Sequence, residues 1–166
     1  MSDRSKRVEN LSPDARRSLL ARLLRERAEQ PLSFAQQRLW VVDQLETGAA
    51  YNVPLALHLR GPLDVPVLER SLGAILQRHD VLRARFVVTD GEPRQVVADS
   101  VRLELPVDDL SRVPAIARDS EARRLATEET EQPFDLARGP LIRARLLRLD
   151  AEEHLFLVTM HHIVSD

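Results

Sequence analysis

Residues 153–166 read Glu153-His154-Leu155-Phe156-Leu157-Val158-Thr159-Met160-His161-His162-Ile163-Val164-Ser165-Asp166. The runs 154–162 and 140–149 both carry apolar side chains at odd and even positions, and the short polar turn Asp150-Ala151-Glu152-Glu153 joins them. A strand that is apolar on both faces has to be covered on both faces. These two are therefore predicted as central strands of a sheet flanked by helices.

The rest of the chain supplies the layers. Ser12, Pro13 and Asp14 signal a helix start, and Leu19, Leu20, Leu23 and Leu24 give that helix one apolar stripe. It reads as a linker helix packed on the following domain, with a docking helix for an upstream protein as the alternative. The ten polar residues before it have nothing to bury and are expected to be disordered. Ser33 and Gln36 form a capping box for a helix whose apolar surface is assigned to Leu39, Trp40, Val42 and Leu45, with Gly48 ending it. Val53, Leu55, Leu57 and Leu59 alternate as in a strand that Gly61-Pro62 breaks. Asp64 caps a third helix with Val67, Leu68, Ser71, Leu72, Ile75, Leu76 and His79 on one face. Residues 84–89 and 94–98 flank Asp90-Gly91-Glu92-Pro93 as a hairpin, and a charged helix is predicted over about 114–130, between Pro114 and Pro133. The fold class is α/β, a mixed α+β sheet with flanking helices.

Composition excludes several functions. With 24 basic against 26 acidic residues spread along the chain, no basic footprint marks a nucleic-acid partner. The absence of cysteine rules out a disulfide framework, a thiolate nucleophile and cysteine zinc sites. No signal-peptide run and no apolar stretch of spanning length is present, so the expectation is a cytoplasmic protein without a membrane partner.

Chemistry points back to the end of the chain. If the strand persists, His161 and His162 face opposite sides, so they cannot share one metal, and no third ligand cluster is evident; no metal is expected. An imidazole buried at the end of an apolar strand is kept neutral by desolvation and can accept a proton. Asp166, four residues after His162, could buttress the loop. Two histidines on an apolar strand are nevertheless more often satisfied core residues than catalysts, and their spacing alone does not reverse this.

Three segments together do. Met160 to Asp166 matches an HHxxxD signature, Leu32-Ser33-Phe34-Ala35-Gln36-Gln37-Arg38-Leu39-Trp40 resembles SxAQxRLW, and Arg78-His79-Asp80-Val81-Leu82-Arg83-Ala84-Arg85-Phe86 resembles RHExLRTxF. In this order they resemble the condensation domains of nonribosomal peptide synthetases, in the chloramphenicol-acetyltransferase-like superfamily. Tyr51-Asn52-Val53-Pro54, Gly61-Pro62-Leu63-Asp64 and Pro133-Phe134-Asp135-Leu136 also read as family consensus, while Asp80 and Ala84 stand where Glu and Thr are usual.

The resemblance covers residues 32–166 and implies the amino-terminal lobe of a two-lobed fold, with residues 1–31 as tail plus linker or docking helix. The family continues past Asp166 with a glycine and a carboxy-terminal lobe, so this chain by itself is expected to be inactive. The implied reaction joins a donor acyl or peptidyl thioester to an acceptor aminoacyl thioester as an amide. Both are delivered on phosphopantetheine arms of upstream and downstream peptidyl carrier proteins, with no cofactor bound directly and an adenylation domain further downstream. His162 is implied as the catalytic residue, as base or as positioner of the amine. His161 is implied as structural, and Asp166 as a scaffold carboxylate paired with Arg78, or alternatively Arg83. Ser33, Gln36, Arg38 and Trp40 read as capping and packing residues. Ile163-Val164-Ser165-Asp166 and Val81-Leu82-Arg83 lean towards an L donor and an L acceptor, and His161 argues against the heterocyclising subtype. The alternatives are a related HHxxxD acyltransferase acting on a free alcohol or amine, an epimerisation domain, and a non-catalytic carrier-docking module.

Overall fold

The computed structural model describes residues 12, 14–18, 29–45 and 48–165. Strand β1 (Glu29–Pro31) leads into helix α1 (Phe34–Leu45), strand β2 (Asn52–Arg60), helix α2 (Val65–Arg78) and a 3₁₀ turn (Asp80–Arg83). Strands β3 (Ala84–Thr89), β4 (Glu92–Val97) and β5 (Val107–Asp109) precede helix α3 (Ala115–Glu131). Strands β6 (Ile142–Asp150) and β7 (Glu153–His161) end in a second 3₁₀ turn (His162–Val164).

The long strands are central, as their two-faced apolar pattern requires. The larger sheet runs β2-β7-β6-β5, antiparallel except for the parallel β5–β6 pair. Leu146 and Leu147 are adjacent and both fully buried, one in the layer under α2 with Leu76, Ile142 and Phe156, the other under α3 with Ala122, Leu125 and Leu157. Two ion pairs tie neighbours to β6. Arg143 Nε donates to Glu129 Oε1 of α3 at 2.8 Å, and Arg145 Nε donates to Asp108 Oδ2 of β5 at 2.7 Å. The Arg143 guanidinium also lies 3.8 Å over the Phe134 ring.

A second sheet, β1-β4-β3, was not foreseen as separate. Its hairpin turns on Asp90 and Gly91, both at positive φ, the two-residue geometry that suits the right-handed twist of the strands. The three-residue strands β1 and β5 escaped the sequence because so few residues show no periodicity.

Local signals at the helix ends hold. Ser33 Oγ accepts from Gln36 N–H and Gln36 Oε1 accepts from Ser33 N–H, completing the capping box. Asp64 Oδ1 accepts from Val67 N–H at 2.9 Å, and Ser12 Oγ accepts from Ala15 N–H. The leucines assigned to that first stripe, Leu19, Leu20, Leu23 and Leu24, lie outside the described residues, as do Pro13 and residues 1–11. Two apolar faces need correction. On α2 the burying stripe is Val65, Leu68, Leu72 and Leu76, whereas Val67, Ser71, Ile75 and His79 face outward. On α1, Leu39 and Trp40 pack inward but Leu45 is 79% exposed. A helical period gives the angle between residues, and only the packed sheet decides which arc is covered.

Candidate active site

The end of β7 is built by burial on one side and turn geometry on the other. Ile163 and Val164 are drawn into a cluster with Leu32, Ala84, Phe86, Leu136 and Leu141. Their burial leaves His162 half-exposed and Ser165 exposed on the opposite side of the turn. His161 N–H donates to Leu141 O at 3.0 Å and His162 N–H to Tyr51 O at 2.8 Å, so the backbone of both histidines is pinned.

The two imidazoles occupy different environments although the strand stops between them. His161 is 2% exposed, packed near the Tyr51 and Phe134 rings, and its Nδ1 accepts from Ile163 N–H at 3.2 Å, capping the turn. Burial, with a smaller contribution from His162, holds its pKa down to about 4. The desolvated, neutral imidazole anticipated from the sequence is thus His161.

His162 instead lines a recess of about 250 Å³ with Ala35, Arg38, Leu39, Val42 and Tyr51. Its Nδ1 lies 3.4 Å from Ser165 Oγ, and no hydrogen bond to Nε2 is present among the described residues. A recess with aliphatic walls from Ala35, Leu39 and Val42 and polar ones from Arg38 and Tyr51, with one imidazole nitrogen uncommitted, can hold an acyl or amine group against a proton acceptor.

The structure adds residues that motif reading passed over or assigned to packing. Arg38 and Tyr51 share the His162 recess. Asp43 of α1 reaches the other histidine, its Oδ1 3.8 Å from His161 Nε2. A polar residue on the packed side of α1, three after Trp40, was the available signal. Asn52 donates from Nδ2 to Thr130 O and Gln132 O, tying the end of α3 to the residue paired with His161.

The arginines assigned to Asp166 separate. Arg78 is exposed and has no polar partner among the described residues. Arg83 has an 11% exposed side chain and donates to the carbonyls of Leu76, Ala98 and Asp99 and to the Asp80 carboxylate. Asp166 itself lies outside the described residues. No group of three or more His, Asp or Glu among the described residues could hold a metal ion, and no helix there is long and apolar enough to cross a membrane.

Comparison with known proteins agrees with this geometry. Residues 26–166 match the condensation domain family. The chain is 48% identical over 139 residues to a component of the linear gramicidin synthase of Brevibacillus parabrevis, covering 83% of this chain and 3% of that protein. It is 47% identical over 137 residues to phosphinothricin tripeptide synthetase PhsC of Streptomyces viridochromogenes, covering 82% and 13% respectively. Among solved structures, the starter condensation domain of rhizomide synthetase RzmA matches with a TM-score of 0.74 at 26% identity, over 81% of this chain and 33% of that one. The first condensation domain of the calcium-dependent antibiotic synthetase, in complex with a substrate analogue, matches with a TM-score of 0.72 at 29% identity, over 81% and 32%. The chain thus spans a small part of those synthetases and about a third of the solved chains. With the buried His161, the recess-lining His162 and a family match over residues 26–166, this chain belongs to the condensation domain family.

Proposed function

We propose that the chain contributes the amino-terminal lobe of an amide-forming condensation domain, joining a carrier-bound donor thioester to a carrier-bound acceptor amine. The observation that carries this reading is the His162 ring, half-exposed in a recess of mixed polar and apolar walls and held only at Nδ1. The acceptor amine attacks the thioester carbonyl, a C–N bond replaces the C–S bond, and the amine proton leaves with the thiolate as free thiol. His162 takes that proton or holds the amine in line. Base assistance of this kind is worth about 10² to 10⁴ in rate, and positioning adds to it.

The finer assignments rest on the matched motifs. An L donor and an L acceptor follow from Ile163-Val164-Ser165-Asp166 and Val81-Leu82-Arg83. Peptidyl carrier proteins bring both substrates on phosphopantetheine arms, an adenylation domain lies downstream, and the protein works in the cytoplasm. Residues 32–166 form the lobe and residues 1–31 a linker or docking segment, although Glu29–Pro31 already pair with β4. For the Asp166 scaffold pair, Arg78 is first by motif position. Burial supports Arg83, because a carboxylate beside a near-buried guanidinium is screened less than one beside an exposed arginine.

The chain alone is inactive in this reading, since it spans about a third of the solved condensation-domain chains. A condensation assay with two loaded carrier proteins tests it, run on this chain and on one extended through a second lobe. Amide formed by the extended protein and not by its His162→Ala variant is the expected result. A non-catalytic carrier-docking module would bind carriers in both forms and make amide in neither.

A further inference from the structure

Of the residues that line the His162 recess, Arg38 is the one with a fixed charge. It shares an arc of α1 with Ala35, Leu39 and Val42, at the three- and four-residue spacings that set helical side chains along one wall. On α3, Arg124 is paired with Glu121 and Glu128, three and four positions away. The corresponding positions around Arg38 are Phe34, Ala35, Val41 and Val42, and none of these side chains can accept a hydrogen bond. The carboxylate of Asp43, also on α1, lies near His161 instead. Arg38 therefore has no polar partner among the described residues, and no acidic residue among them lines the recess. A cation left unpaired beside the imidazole takes its counter-charge from what enters.

We propose that the Arg38 guanidinium stabilises the oxyanion formed when the acceptor amine adds to the donor thioester. This role deepens the proposed function and rests on its placing of the reaction in the His162 recess. The amine lone pair forms the C–N bond while the carbonyl π pair moves onto oxygen. Collapse restores the C=O bond and expels the thiolate, which leaves as thiol with the amine proton. Negative charge sits on the oxygen between those two events, and an N–H donor already in place stabilises it without reorganisation. Arg38 brings charge as well as a donor, and charge-assisted hydrogen bonds are about twice as strong as neutral ones. The aliphatic walls of Ala35, Leu39 and Val42 limit the water that would screen it. Tyr51, the other polar wall, offers only a neutral hydroxyl. A recess of about 250 Å³ takes the reacting centre rather than the length of a pantetheine arm, so the arm's phosphodiester is not the anion that Arg38 meets. The same cation disfavours an ammonium ion, so the acceptor enters as the free amine that can attack.

The test is the condensation assay on the extended protein, with carrier-free donor and acceptor thioesters that bear neither phosphate nor carboxylate. Arg38→Gln is expected to lower kcat about a hundredfold with KM nearly unchanged. Arg38→Lys, which keeps the charge, stays within about tenfold of wild type. Arg38 is exposed and outside the buried clusters, so Arg38→Gln unfolds within about 2 °C of wild type. Wild-type kcat in Arg38→Gln overturns the proposal, as do equal losses in the glutamine and lysine variants. A loss confined to carrier-bound substrates, or to substrates that carry a carboxylate, also overturns it, because Arg38 would then hold a permanent anion. If His162→Ala condenses normally while Arg38→Gln keeps its hundredfold loss, the reading of His162 as the catalytic imidazole falls and the oxyanion role stands.

Discussion

Nε2 of His161 lies 3.8 Å from Oδ1 of Asp43, yet neither group behaves as half of an ion pair. An ion pair would raise the histidine and lower the carboxylate. Here burial lowers His161 to about 4 and, as the largest influence, pushes Asp43 above its usual range, with nearby Asp135 adding to the rise. Desolvation outweighs attraction at a separation too long for a hydrogen bond. His161 is therefore a buried ring kept neutral by desolvation, and its titration is a stability term.

The sign of that term follows from proton counting. Between pH 6.5 and about 4 the unfolded chain binds a proton at position 161 that the folded chain refuses, so stability falls as pH drops through this window and levels off below it. The full contribution is about 3 kcal/mol. His161→Asn keeps an acceptor for Ile163 N–H but cannot titrate, so urea unfolding of the two proteins at successive pH values isolates the histidine from His154, whose pKa burial also lowers. Parallel pH profiles for wild type and variant would refute the assignment.

His162→Ala is expected to separate stability from activity. The side chain is half-exposed and outside the buried clusters, so unfolding free energy changes by no more than about 1 kcal/mol. Amide formation in a condensation-competent protein falls by at least about a hundredfold. Thermal unfolding and single-turnover condensation, measured on the same preparation, check both halves.

Asp166→Ala is expected to act on folding, costing about 3 to 5 kcal/mol if the carboxylate is paired with a buried arginine. Double-mutant cycles of Asp166 with Arg83 and with Arg78 identify the partner, since only the true pair shows coupling. A well-folded, active Asp166→Ala protein would remove its scaffold role.

Glu129→Ala should loosen α3 from the sheet. Glu129 is buried and accepts from Arg143, which also donates to the carbonyls of Glu129, Gln132 and Pro133. Leaving that guanidinium without its carboxylate costs about 3 kcal/mol. Hydrogen exchange should show the loss first in residues 115–131.

Leu146→Ala and Leu147→Ala should each cost about 3 kcal/mol, although neighbours in sequence, because each opens a cavity in a different layer. Their effects should add to within about 0.5 kcal/mol in the double variant. Strong coupling would mean that the two layers relax as one.

Much of the fold was legible because it follows from local rules. The caps at Ser33 and Asp64, the Asp90-Gly91 turn and the two-faced pattern of β6 and β7 depend on neighbouring residues alone. The exposed side of α2 and the separate β1-β4-β3 sheet were not, since both depend on what packs against them.

The candidate site divides the same way. Reading residues 153–166 was enough to set two histidines on opposite faces at the end of a buried strand, because adjacent side chains on a strand alternate, whereas their roles were implied only by the resemblance that three separate segments carry. Only the folded chain decided which ring is desolvated, since that depends on Asp43, Tyr51 and Phe134 brought in from elsewhere and on the burial of Ile163 and Val164, which turns His162 towards Arg38. Burial is a property of the assembled surroundings, so no amount of local pattern could have assigned it.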